Sequence, residues 1–438
     1  RAFARLQNRR NPGKGLLPAL ALALDAIDDA ADAPAAHGAA HWIDSRLLPA
    51  CSVLPIDAEE DFIRLRIAFE ALPERRPGAR EEKRRVTDSL RGAPFWRLVL
   101  ERTARLATAL DGFATDLGGV LERLELLSEN APPQIRYLAT ELGAIAGRLR
   151  GMAASLLAFT EEDPRQCAWI ERRERGRSGP SLWLHQAPID VGPLLAKSLF
   201  APFATTVLTS ATLTVEGRFD FLHQRIGVDR IDPPERVETL RVASPFDFAR
   251  QALLAVPADL PEPTAAGHDA ASHAAIRRIL DVTRGGTFLL FTSYSALTRA
   301  WTALADDLRR TGYVPLRQGE LSRSVLLQRF RAAPTSVLFA VDSFWEGVDV
   351  RGDALRCVVI ARLPFRVPTD PLEEARVEAI AARGGDPFAE RALPQAAIKL
   401  QQGFGRLIRS RGDRGCGSGA RNLSLIHISE PTRLRRIS

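Results

Sequence analysis

No run of 18 or more uncharged apolar residues occurs in the 438-residue chain, and the N-terminal stretch RAFARLQNRRNPGKG lacks the apolar segment of a signal peptide. A cytoplasmic location and no membrane partner are the expectations. Cysteine is scarce: Cys51, Cys167, Cys357 and Cys416 lie at separations far wider than any CxxC spacing. That scatter argues against a disulfide framework and offers no ligand set for a metal or an iron–sulfur cluster, so the four read as small buried apolar residues. The chain also lacks solenoid-type repeats, low-complexity segments and the carboxylate cluster that a two-metal nuclease would need.

What is present points to a globular chain of two or three domains, with 45% hydrophobic and 26% charged residues. The net charge of +7 and isoelectric point near 9.7 favour a polyanionic partner such as nucleic acid. Residues 417–438 weaken that inference, since they hold four arginines against one Glu, a net +3 of the total.

The texture changes along the chain. Residues 16–91 alternate short helical pieces with the arginine-rich stretch LPERRPGAREEKRR, which reads as an exposed loop. From about residue 92 to 159, apolar residues recur at helical spacing in two segments joined by SENAPPQ, which predicts an antiparallel helical hairpin. QCAWIERR and SLWLHQA flank the turn-forming ERGRSGP and predict a β-hairpin. Beyond it the apolar runs TTVLTS, TFLLFTS, SVLFAVDS and CVVIARL alternate with helical segments, the pattern of a parallel α/β sheet buried on both faces.

Ligands of such sheets bind beyond the carboxyl ends of the strands. Thr209, Ser210, Ala211 and Thr212 follow the first run, and Thr292 and Ser293 the second. Asp342, Glu346, Gly347 and Asp349 follow the third, with Phe344 and Trp345 among them. Each has a plain structural explanation. A Ser or Thr after a strand is usually a helix N-cap, and FTSYSAL alone is read that way; Gly347 and Asp349 suit a turn, Phe344 suits a core, and Arg406 and Arg409 suit a solvated helix face. The joint occurrence, in order, of three strand-end motifs and a helix reading Q-x-x-G-R-x-x-R at Gln402, Gly405, Arg406 and Arg409 carries more.

TSATL, FTSY, DSFWEGVDV and QGFGRLIR resemble motifs III to VI of superfamily 2 helicases, and APIDVGPLL, RLPFRVPTDPL and LPQAAIKLQQGFGRLIRS resemble the bacterial DinG-type branch related to XPD. The resemblance is strong over roughly residues 166–415. It implies RecA-like helicase lobes with a mainly helical Arch-like insertion, and an ATP-dependent DNA helicase with 5′ to 3′ movement in repair or replication. Arg409, Arg406 and Gln402 would be catalytic, with Gly347, Asp349, Glu346 and Gly405 at the nucleotide. Thr209, Ser210, Ala211 and Thr212 would couple hydrolysis to lobe movement. Thr292, Ser293 and Trp345 would contact DNA, single-stranded or forked, and the protein would act as a monomer. On a helix, Gln402, Arg406 and Arg409 at i, i+4 and i+7 would share one face, where arginine's planar fork can pair with two phosphate oxygens.

ATP with Mg²⁺ is the implied cofactor, yet the G-x-x-x-x-G-K-[ST] loop and the acidic magnesium motif are absent; NPGKGLL around Lys14 has Gly15 where Ser or Thr should stand. The expectation is a C-terminal fragment whose metal ligands, and any iron–sulfur cluster, lie upstream. The expected domains are a helical insertion at 1–165, the end of a first RecA-like domain at 166–240 and a second at 241–416. The glycine-rich, then basic, tail at 417–438 reads as a non-native scar with no strand. A non-catalytic nucleic-acid-binding module that keeps the second lobe stays open as an alternative.

Overall fold

The computed structural model describes all residues except 1, 9, 74–80, 129–130, 175–178, 258, 263, 342–343, 345–349, 351, 366–369, 420–432 and 438. Contacts divide the chain into two compact units, Arg1–Ile189 with Asp370–Ala375, and Asp190–Thr369 with Arg376–Ser438.

The first unit is built on the expected pair of long helices, Pro94–Glu125 and Pro133–Thr160, each opening on a proline whose missing N–H costs nothing in a first turn. Val99, Thr103, Leu106, Leu110, Phe113, Leu117 and Val120 recur at alternating spacings of three and four, as do Ile135, Leu138, Leu142, Ile145 and Leu149. Two such stripes pack face to face. Leu17, Leu20 and Leu24 from Leu16–Asp25 join this core, together with Ile43 and Leu47. The 28-residue helix Pro133–Thr160 is apolar enough by composition to cross a membrane, but its apolar stripe is the one buried here.

The hairpin forms as read, β2 (Gln166–Glu174) against β3 (Pro180–Pro188). Its neighbour corrects one expectation: EEKRR, read as exposed loop, is a third strand, β1 (Glu81–Arg85), antiparallel to β2. Its register sets Glu81, Glu82 and Lys83 opposite Arg173, Arg172 and Glu171, and opposite charges facing each other stabilise a strand that periodicity alone would not reveal. The contact boundary at 189/190 also puts this hairpin in the first unit, whereas the expected boundary fell at 165/166.

Among the described residues, the second unit holds a seven-stranded parallel sheet in the order β10-β4-β9-β8-β5-β7-β6. Its strands are β4 (Ala252–Pro257), β5 (Thr287–Leu290), β6 (Val314–Arg317), β7 (Ser336–Ala340), β8 (Cys357–Ile360), β9 (Gly415–Gly419) and β10 (Arg433–Ile437). The runs in β5, β7 and β8 are buried on both faces as expected. Phe288, Leu290, Leu338, Val358 and Ile360 face the core shared with helices Arg323–Ala332 and Leu393–Phe404. Leu289, Phe291, Val337, Phe339 and Val359 face His268–Thr283 and Tyr294–Arg310. The α/β parallel-sheet class stands.

Two other expectations fail. TTVLTS is not a strand: residues 205–210 are irregular and exposed, and no described strand offers them a ladder. Conversely, the tail read as strandless from residue 417 supplies the last three residues of β9, which lies between β4 and β8, and the whole of β10 beside β4. Glycine is what admits β9, since a Cβ on Gly417 would overlap the Phe404 ring. Cys357 and Cys416, far apart in sequence, stand opposite each other in the β8–β9 register.

Candidate functional site

The Q-x-x-G-R-x-x-R segment is only partly helical. Helix Leu393–Phe404 ends one residue after Gly403, Gly405 caps it, and Arg406 and Arg409 lie in the turn and loop that lead into β9. The single-face helical arrangement of Gln402, Arg406 and Arg409 is therefore wrong. Gly405 donates its N–H to the Gln401 carbonyl at 2.8 Å, and a Cβ there would sit 2.9 Å from the same oxygen, so only glycine fits this tight exit. Arg406 is half-buried and Arg409 exposed.

Asp413 competes for the backbone that a longer helix would have used. Its Oδ2 accepts the N–H groups of Arg409 and Ser410 at 2.7 and 2.8 Å, and its Oδ1 accepts the Ser410 hydroxyl at 2.7 Å. Burial alone would raise the pKa of this carboxyl. The Ser410 hydroxyl and the N–H groups of Arg409, Ser410 and Gly352 outweigh that and hold it below the usual value. Gln251, buried at the start of β4, supports the same loop from the other side, its Nε2 donating to the carbonyls of Ser410, Arg411 and Asp413 at 3.1, 3.1 and 2.9 Å. Sequence reasoning missed both residues. An Asp four positions after an arginine, in a glycine-rich turn, was the available signal for Asp413; nothing local marks Gln251.

Gln402, half-buried in the last helical turn, directs Nε2 toward Thr212 Oγ1 at 3.5 Å. One predicted catalytic residue and one predicted coupling residue thus meet, although 190 positions separate them. Thr212 also donates its N–H to Ser210 Oγ at 3.3 Å. Thr209, Ser210 and Ala211 are exposed.

Thr292 and Ser293 lie elsewhere. They follow the carboxyl end of β5, where Ser293 caps helix Tyr294–Arg310 by accepting the Ala296 N–H at 3.2 Å, the ordinary role read for FTSYSAL. The Arg409 loop instead enters the amino end of β9. Helix Leu393–Phe404 connects two parallel strands, β8 and β9, and returns the chain to the opposite edge of the sheet. The carboxyl-edge rule therefore locates Thr292 and Ser293 but not the arginines. At the carboxyl edge sequence reading also missed Gln318, whose Nε2 donates to Tyr294 Oη and whose Oε1 accepts the Val341 N–H, both at 2.8 Å.

Phe344 is 1% exposed in the sheet's core, as its plain structural explanation had it. Asp342, Trp345, Glu346, Gly347 and Asp349 lie outside the described residues. Among the described residues no three His, Cys, Asp or Glu side chains gather as a metal site. The implied magnesium therefore finds no ligand set in them, and no chemistry is assigned through it.

Residues 276–417 match the model of the helicase C-terminal domain. The chain is 37% identical over 329 residues to the ATP-dependent DNA helicase YoaA of Escherichia coli (strain K12), an alignment that covers 71% of this chain and 50% of that protein. It is 39% identical over 279 residues to the ATP-dependent helicase DinG of Mycobacterium tuberculosis (strain ATCC 25618 / H37Rv), covering 63% and 41%. An XPD helicase of known structure aligns with a TM-score of 0.48 at 13% identity, covering 87% of this chain and 64% of the other. The chain spans about half the length or less of these sequence relatives. The resemblance to DinG-type helicases drawn from the motifs holds.

Proposed function

We propose that this relative of the YoaA and DinG helicases acts within an ATP-dependent DNA helicase, its second unit serving as the RecA-like lobe that supplies arginines to the nucleotide. The observation that carries the reading is the contact of Gln402 with Thr212 beside the Arg406–Arg409 loop, because it joins the residues of motifs III and VI within one compact unit. An arginine delivered to a transferring phosphoryl group neutralises charge that develops in the transition state and accelerates transfer by roughly 10³ to 10⁵. Arg409, exposed at the end of a loop with a fixed backbone, suits that role; Arg406, half-buried, suits ground-state phosphate contact.

Single-stranded or forked DNA would run along the opposite edge of the sheet, over Thr292 and Ser293 at the start of helix Tyr294–Arg310. Separation of the two sites onto opposite edges gives the lobe a way to turn phosphate chemistry into displacement on a polymer. A monomer, a cytoplasmic location and 5′ to 3′ movement belong to the same reading. The test is DNA-stimulated ATP hydrolysis by a full-length protein carrying this segment, with and without Arg409→Ala. Hydrolysis unchanged by the substitution would remove Arg409 from the mechanism.

A further inference from the structure

We infer that Asp413 is a positioning residue for Arg409, acting through the backbone of the arginine's loop. The inference rests on the catalytic reading of Arg409 given above.

Asp413 is 9% exposed, and its carboxylate takes donors from two parts of the chain, the turn at Arg409 and Ser410 and the backbone at Gly352. The N–H of Arg409 fixes where the arginine leaves the backbone; the N–H and hydroxyl of Ser410 fix the next residue; the N–H of Gly352 ties the carboxylate to the segment that follows the DSFWEGVDV motif. Three of the loop's carbonyls, those of Ser410, Arg411 and Asp413, accept from Gln251 Nε2. Gln251 is held in turn, its Oε1 accepting the Asp247 N–H at 2.9 Å. The donors of the loop are thus anchored by Asp413 and its acceptors by Gln251.

Such anchoring matters because the arginine side chain is long and carries several rotatable bonds, so its reach is defined only as well as its Cα is. A displacement of about 1 Å at a reacting centre can cost on the order of 10²-fold in rate. A neutral acceptor would anchor the loop less firmly, since hydrogen bonds to an ionised group are shorter and stronger. Asp413 touches no reacting atom; its effect on turnover passes through Arg409.

The experiment is a double-substitution cycle in a full-length protein carrying this segment, with steady-state ATP hydrolysis and thermal unfolding measured for Asp413→Asn, Arg409→Ala and the pair. Asp413→Asn is expected to lower kcat by about 10- to 100-fold, with KM for ATP moving less than about 3-fold and unfolding still cooperative. In the Arg409→Ala background it should lower kcat no further. Because Asp413→Asn could impair folding, Ser410→Ala serves as the milder variant: it removes one donor, should cost several-fold in kcat, and should likewise have no effect once Arg409 is gone. Multiplicative losses in the pair, or full activity in Asp413→Asn while Arg409→Ala is crippled, overturn the positioning role alone. Full activity in Arg409→Ala overturns the catalytic reading, and the positioning role with it.

Discussion

Gln402 and Thr212 meet at 3.5 Å, Nε2 to Oγ1, so the last turn of helix Leu393–Phe404 touches the TSATL segment through two neutral side chains. A contact that long is a weak hydrogen bond, and its value lies in reporting a relationship between segments more than in stability.

Replacing Ser210 and Thr212 with Ala should therefore change unfolding free energy by no more than about 0.5 kcal/mol, as for exposed or half-exposed sites generally. In a full-length protein, DNA-stimulated hydrolysis should persist while strand separation falls. Joint loss of hydrolysis and folding would return these residues to a purely structural role.

Arg409→Ala should lower turnover by about 10³-fold or more, with nucleotide affinity changing far less, because the guanidinium acts on charge that appears in the transition state. Arg409→Lys should not restore the rate, since an ammonium lacks the planar two-pronged geometry. Single-turnover hydrolysis with a separate nucleotide titration checks both statements.

In the first unit, Asp61 is buried on helix Leu48–Glu70 between Arg102 and Arg105, with ion pairs of 3.2 and 3.0 Å. Asp61→Ala would leave Arg102, only 17% exposed, without its inward partner. A cost of about 3–5 kcal/mol is expected, the range for breaking a buried ion pair from one side. Calorimetry of the variant should show the loss in the transition of the first unit and leave that of the second unchanged.

His185 supplies a pH dependence. Its ring stacks on Trp169 with centroids 4.8 Å apart, and Nε2 lies 3.0 Å from Glu171. Burial pushes its pKa below the ordinary 6.5, and the opposing pull of the Glu171 carboxylate does not cancel that. The folded state therefore binds a proton less readily than the unfolded chain. Stability from this source is complete above the unfolded value and declines as pH falls from about 6.5 to the lower folded value. His185→Gln should flatten urea midpoints measured between pH 7 and 5; an unchanged slope would show that His185 is not responsible.

Gly417 tests β9. A Cβ there would overlap the Phe404 ring, so Gly417→Val should destabilise the second unit by about 1–3 kcal/mol, the usual cost of overpacking. Removing residues 417–438 should be worse, because it cuts a strand that lies between β4 and β8. Unaltered unfolding of the truncated chain would mean that β9 contributes nothing to the sheet.

The sequence by itself determined the long helices, the hairpin and strands β5, β7 and β8, because periods of 3.5 and 2 and unbroken apolar runs are local consequences of which faces are buried. It also determined the order of the helicase-like motifs. Tertiary structure alone decided the rest. EEKRR became β1 because Arg173, Arg172 and Glu171 stood across from it, and the glycines of β9 found a place because Phe404 needed the room. The helix bearing Gln402 stopped at Phe404 because Asp413 took the Arg409 and Ser410 N–H groups, and the arginines came to the amino edge because that helix joins two parallel strands. Gln251 and Asp413 became partners in one anchor only because the sheet order sets β4 beside β9, a pairing between distant segments that no local pattern encodes.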